Sequence, residues 1–209
     1  MSKSKYNYKV YNGKALKKIF ENSRIYLFAV IFAIGIVAGA IVIGGDSELI
    51  LKIKNLTDSF VQMKSQQGIA ENFCNSVSVS VLFMIINVFF GFSLVGYPFL
   101  IWLPFLRGMG IGVVTGYFYS VFKALGLGYC VLIIYPGAIV STLAFILACN
   151  DSCEYSKNAF QKAIKGRGQF EKDETKVYFI RQIIFMGICA ASSVIDAIFS
   201  ASFSRFFEI

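Results

Sequence analysis

The chain has 209 residues, 56% hydrophobic and only 15% charged, against the roughly 25% charged share of ordinary soluble domains, which excludes a single water-soluble core. Its net charge of +8 would point a soluble protein towards nucleic acid, but no basic face is joined to an aromatic stacking platform in a polar domain. The basic residues instead gather mainly in two groups that abut apolar runs, Lys3 to Arg24 and Lys157 to Arg181, as cytoplasmic anchors of membrane helices do.

Residues 1–24 read as a basic cytoplasmic segment and 25–209 as one membrane domain, an all-α bundle of about five transmembrane helices with a broken, glycine-rich centre. The first span covers 25–44. Within it Gly35 and Gly39, then Ala40 and Gly44, repeat a spacing of four, which lets another helix approach closely. Its length and the lack of a small-x-small cleavage site make it an expected anchor rather than a signal peptide.

A polar outer loop follows at 46–75. In it Leu49, Ile53, Leu56, Phe60 and Met63 recur at steps of four and three, flanked by Lys52, Lys54, Asp58 and Lys64, one apolar stripe of an amphipathic helix. Such a stripe lies on the membrane or on the protein's own bundle, or it docks a partner's helix.

From Asn72 to Asn150 the only charges are Arg107 and Lys123, which leaves room for three crossings at about 20 apolar residues each. The second span, 77–96, stops at Gly96, Tyr97 and Pro98, because proline disfavours helix in the residue before it and removes a donor. Residues 97–107, broken again at Pro104, read as an interfacial or partly buried connection with Trp102 as an anchor and Arg107 facing the cytoplasm. Gly108, Gly110, Gly112 and Gly116 then line the third span, 108–122. A nucleotide loop would need a preceding strand and a following acidic residue, or a lysine followed by serine or threonine. None is present, and glycines at these spacings suit tight helix contacts.

The fourth span, 127–149, carries Pro136 and Gly137 near its middle, where a kink is expected. A basic cytoplasmic loop, 150–177, with a short amphipathic helix around Tyr155 and Phe160 precedes the fifth span, 178–198. With the amino terminus inside, fifteen basic residues fall on the cytoplasmic side and five outside, which favours this orientation and puts the carboxyl terminus outside.

Two ionisable residues fall in apolar segments, Arg107 and Asp196. The topology sets them on opposite sides, Arg107 reaching inward and Asp196 outward, so no pair is expected between them. Cys149 and Cys153 lie one helical turn apart, but with no histidine in the chain they supply two metal ligands of the usual four. No metal or cofactor is expected. Without histidine the common acid–base and nucleophile–base arrangements are also missing, and no catalytic residue is assigned.

Ala70, Glu71, Asn72, Phe73, the run Gly91 to Pro98, and Phe105 to Gly112 with Gly116 form a pattern that resembles the stage II sporulation protein M family. The likeness is strongest over 70–150. It departs in the fourth span, where many members have Leu-Pro-Gln-Asn and this chain has Ile134, Tyr135, Pro136 and Gly137; the proline is kept and the amide pair is not. The resemblance implies a multi-pass protein of the bacterial cell membrane, a non-catalytic scaffold of sporulation engulfment. It would hold membrane-anchored peptidoglycan hydrolases, an amidase and a lytic transglycosylase, at the septal membrane. The main alternative is a small transporter or the membrane subunit of one, because the interrupted segment 97–112 and the kink at Pro136 are features that line binding sites in transporters. Self-association into a homo-oligomer stays open.

Overall fold

The computed structural model describes residues 23–44, 69–93, 96–164 and 172–203. The basic amino-terminal segment, the stripe from Leu49 to Met63, residues 165–171 and the tail after Phe203 lie outside the described residues. Every described element is helical: α1 Ser23–Gly44, α2 Ile69–Phe92, α3 Gly96–Tyr129, a π-helical turn Cys130–Ile134, α4 Tyr135–Ile164 and α5 Lys172–Phe203.

Four stretches are long and apolar enough to cross a membrane, Ser23–Ile43, Phe73–Phe92, Gly96–Gln161 and Glu174–Phe199. Their side chains are sorted for an apolar surrounding. Ile41 is 67% exposed and Phe89 72%, while Asn87, Ser152 and Gln182 are buried. Lipid gives a leucine no reason to hide, whereas polar groups gain by meeting one another between helices.

The third stretch, 66 residues, would extend about 100 Å if straight, some three times a ~30 Å hydrocarbon core. It folds back instead. Lys123 has φ 52° and ψ −128°, the one positive φ outside glycine among the described residues. Beyond it Tyr129 stacks on Phe118 with ring centroids 4.8 Å apart, where an unbroken helix would separate the two by ~16 Å. Further from the turn, Thr115 meets Tyr135 at 3.3 Å and Arg107 meets Ser141 at 2.8 Å. One number falls as the other rises, the register of an antiparallel helical hairpin.

The remaining helix pairs also have defined directions. Gly35 and Gly39 of α1 lie against the carbonyls of Phe105 and Met109, and Gly108, Gly112 and Gly116 lie against Phe32, Ile36 and Ala40. Both numbers rise together, so α1 and the first limb of α3 are parallel, and this is the most extensive helix pair. Phe83 on Phe145 and Ser93 on Ser156 make α2 and α4 parallel. Ser152 on Tyr178 and Ser141 on Cys189 set α5 against α4. Thus α1, the first limb of α3, and α5 point one way, and α2 and α4 the other.

Two expectations about the prolines change. Residues 97–107 are not a connection: α3 begins at Gly96 and runs through them. Pro98 stands in the first turn, where a missing N–H is an orphan anyway, and Pro104 is carried inside the helix. At Pro136 the kink takes the form of the preceding π-turn, in which the Tyr135 N–H reaches back to the Cys130 carbonyl. That wider turn relieves the clash of a proline ring with the carbonyl four residues before it.

Two substitutions test this packing by thermal unfolding in detergent. A Cβ at Gly112 would overlap the Ile36 carbonyl, whereas one at Gly110 meets nothing within 4 Å. Gly112→Ala is therefore expected to destabilise by about 1–3 kcal/mol, and Gly110→Ala to leave the melting midpoint unchanged. At the hairpin, Lys123→Gly is expected to raise the midpoint by relieving a backbone cost of about 1 kcal/mol or more, and Lys123→Val to lower it.

Candidate functional site

Arg107 lies well inside the bundle. It follows the start of α3 at Gly96 by eleven residues, a rise of ~17 Å, and only 9% of it is exposed. The expected connection over 97–107, with Arg107 at its edge, is replaced by continuous helix that carries Arg107 into the bundle interior. It is held by neighbours of other kinds. Its Nη2 donates to the Ser141 hydroxyl at 2.8 Å, and Ser141 donates to the Ala138 carbonyl. Its guanidinium carbon lies 4.9 Å from the Phe145 ring centroid and 5.6 Å from that of Phe83. Aromatic faces offer partial negative charge without a carboxylate, and this attraction strengthens where water is absent.

Beside this group a cavity of about 540 Å³ opens between the helices. Arg107, Ser141 and Asp196 reach it from three elements, and Asn75, Ser76 and Ser78 from the start of α2. Its walls are mostly apolar, with Val79, Phe83, Leu106, Ile111, Val114 and Ile134. Arg107 and Asp196, expected on opposite sides of the membrane, therefore line one cavity. The reason is local: α3 begins at Gly96 rather than at 108, so Arg107 lies three turns into a helix rather than before one, and Gly137 leaves the space that the Asp196 carboxylate fills. Among the described residues no carboxylate lies within ion-pair distance of Arg107, and its Nη1 has no hydrogen-bond partner.

A second polar layer ties α2, α4 and α5 together away from this cavity. The Asn87 amide donates to Gln182 at 3.2 Å, and Gln182 donates to the Ala148 carbonyl and the Ser152 hydroxyl. Ser152 and Tyr178 share a hydrogen bond of 2.9 Å, and Tyr178 stacks on Tyr155. Ser156 donates to the Ser93 carbonyl, and Arg181 pairs with Asp151 at 2.8 Å. Neither Asn87 nor Tyr135 joins Arg107 at the cavity, for Asn87 is engaged with Gln182 and Tyr135 with Thr115. Cys149 and Cys153 are buried, and among the described residues no group of three metal-ligating side chains occurs.

Of the glycines singled out in the sequence, Gly108, Gly112 and Gly116 meet α1, Gly96 fits under the Phe90 carbonyl, and Gly110 lies on the cavity wall. Ser141, Phe83 and Phe145 are not singled out by the sequence, and Gly137 is marked there for a kink rather than for its contact with Asp196. They surround the two charged groups from distant points of the chain, so no local spacing announces them.

The family model described as Stage II sporulation protein M matches residues 28–201, taking in the first and last helices as well as the centre. No curated protein and no solved structure matches the chain.

Removing either polar layer is expected to show in the melt. Gln182→Leu strands the Asn87 amide and is expected to cost about 0.6–2 kcal/mol, part of which Asn87→Leu/Gln182→Leu recovers, since both partners then leave together. Ser141→Ala, which removes a hydrogen bond of Arg107, is expected to cost about 1 kcal/mol or more.

Proposed function

The chain belongs to the Stage II sporulation protein M family, and from that premise we propose that it is a non-catalytic scaffold of the sporulation engulfment machinery. It crosses the bilayer five times with the amino terminus in the cytoplasm and the carboxyl terminus outside. The reversal at Lys123 and the alternating helix directions support five limbs, and the excess of basic residues on one side supports the orientation. The observation that carries the scaffold reading is where the polar chemistry goes. Asn87, Gln182, Ser152 and Tyr178 are bonded to one another across helices, a use of polar groups for assembly.

Its partners are membrane-anchored peptidoglycan hydrolases, an amidase and a lytic transglycosylase, held through the outer stripe Leu49, Ile53, Leu56, Phe60 and Met63. Crosslinking in sporulating cells followed by identification of the captured proteins tests this. Leu56→Ser/Phe60→Ser is expected to lower hydrolase co-purification at least ~10-fold, the effect of losing an apolar anchor worth more than ~1.4 kcal/mol, with membrane insertion intact. Unchanged co-purification overturns the docking assignment.

One observation favours a second reading, a small transporter or its membrane subunit: the cavity beside Arg107. Loss of uptake of a solute in Arg107→Gln, with hydrolase capture retained, would select it.

A further inference from the structure

The cavity between α2, α3, α4 and α5 has no part in the scaffold role, yet it encloses an arginine that the bundle leaves incompletely satisfied. Arg107 is nine-tenths buried; its Nη2 donates to Ser141, and its Nη1 has no hydrogen-bond partner. Phe83 and Phe145 face its charge with their rings but give Nη1 no acceptor oxygen. A buried donor left without an acceptor is costly, the more so on a charged group. An oxygen brought by a ligand removes that cost.

We propose that this cavity binds a single-chain carboxylate amphiphile, a long-chain fatty acid, with a carboxylate oxygen on Arg107 Nη1 and the alkyl chain against the apolar walls. A carboxylate accepts from guanidinium with charge assistance, which makes the bond about twice as strong as a neutral one. One such head matches the single charge of one guanidinium. Asp196 reaches the same space where Gly137 makes room for it and, like the other described carboxylates, stands outside ion-pair distance of the guanidinium. The ligand needs no contact with it.

The walls select an amphiphile over a small soluble acid. Most lining side chains are apolar, and Val79 and Leu106 at the margin are 58% and 51% exposed on the outer surface of the bundle, so a chain held inside continues into the bilayer. The place of the guanidinium selects a small head. It lies against Phe83, about midway along the apolar stretch Phe73–Phe92, and a phospholipid would have to bring phosphate, glycerol and two esters to that level. At about 540 Å³ the space falls within the ~300–1,000 Å³ of small-ligand pockets. Gly110 sits on the wall with nothing within 4 Å of where a side chain would begin.

The full chain, purified in a non-ionic detergent, is exposed in separate samples to radiolabelled palmitate, methyl palmitate and phosphatidylglycerol at equal concentration, and the label retained with the protein is counted. Methyl palmitate keeps the chain and the carbonyl and lacks the charge. Palmitate is expected to be retained about tenfold over both others, a difference of about one decade in affinity. Arg107→Gln removes the cation and Gly110→Leu fills the space without displacing a packed neighbour; each is expected to bring palmitate down to the methyl palmitate level. If Arg107→Gln does not fold, Gly110→Leu and the ester comparison decide. Equal retention of palmitate and its ester, retention of phosphatidylglycerol as high as that of palmitate, or undiminished palmitate in Gly110→Leu overturns the proposal. Displacement of palmitate by an equal concentration of butyrate overturns the amphiphile as the source of the carboxylate.

Discussion

The backbone-to-backbone contact between α1 and α3 fixes the geometry on which the other helices are arranged. In lipid, two helices gain little by burying leucines together, and close approach through small residues is the strongest non-polar attraction they have. Gly35 and Gly39 on one side and Gly108, Gly112 and Gly116 on the other bring main chains within reach of each other's carbonyls. That contact sets the rotation of α3 about its own axis. Arg107 precedes Gly108 by one residue, hence by ~100° around the helix, and is turned away from α1 towards α2, α4 and α5. Ile111 and Val114 follow it at helical spacing along the same cavity wall. One face of α3 is spent on attachment and the neighbouring face on enclosing a space.

The interior is held in two ways at two depths. Around Arg107 the partners are soft, two aromatic rings and a hydroxyl, and they leave a void. Around Gln182 the partners are directional, and they close the bundle with hydrogen bonds that join three helices. Phe145 and Phe83, the two rings against Arg107, meet each other edge to face at 5.8 Å. A hydrogen-bonded layer thus stands beside an open-sided cavity.

Much of this was legible in the chain, and the limits were physical. Apolar length marked where helices lie, and glycines at steps of four marked faces capable of close approach, but nothing local said that the face at Gly35 meets the face at Gly108. The end of one limb at Phe122 and Lys123 was visible as a break in hydropathy, and the positive φ at Lys123 is what makes it a reversal. The prolines were the weak point. In the sequence Pro98 and Pro104 suggest breaks over 97–107, while in the structure one occupies a first turn and the other is tolerated inside α3. That single displacement moved Arg107 from an expected cytoplasmic edge to the interior, and so hid its shared cavity with Asp196. The residues that complete the cavity, Ala138 and Ser141 among them, belong to a helix more than thirty positions away.

The parallel pairing of α1 with α3 also has a consequence in time. Fifty-one residues separate the end of α1 at Gly44 from the start of α3 at Gly96. Synthesis at ~5–20 residues per second therefore leaves a delay of roughly 3–10 s during which the glycine face of α1 is in the bilayer and its partner has not been made. In that interval the face is open to any other helix with small residues in the same membrane. The order in which the ribosome delivers these segments thus makes α1 the helix most exposed to mispairing, and α2, inserted in between, the first neighbour able to shield it.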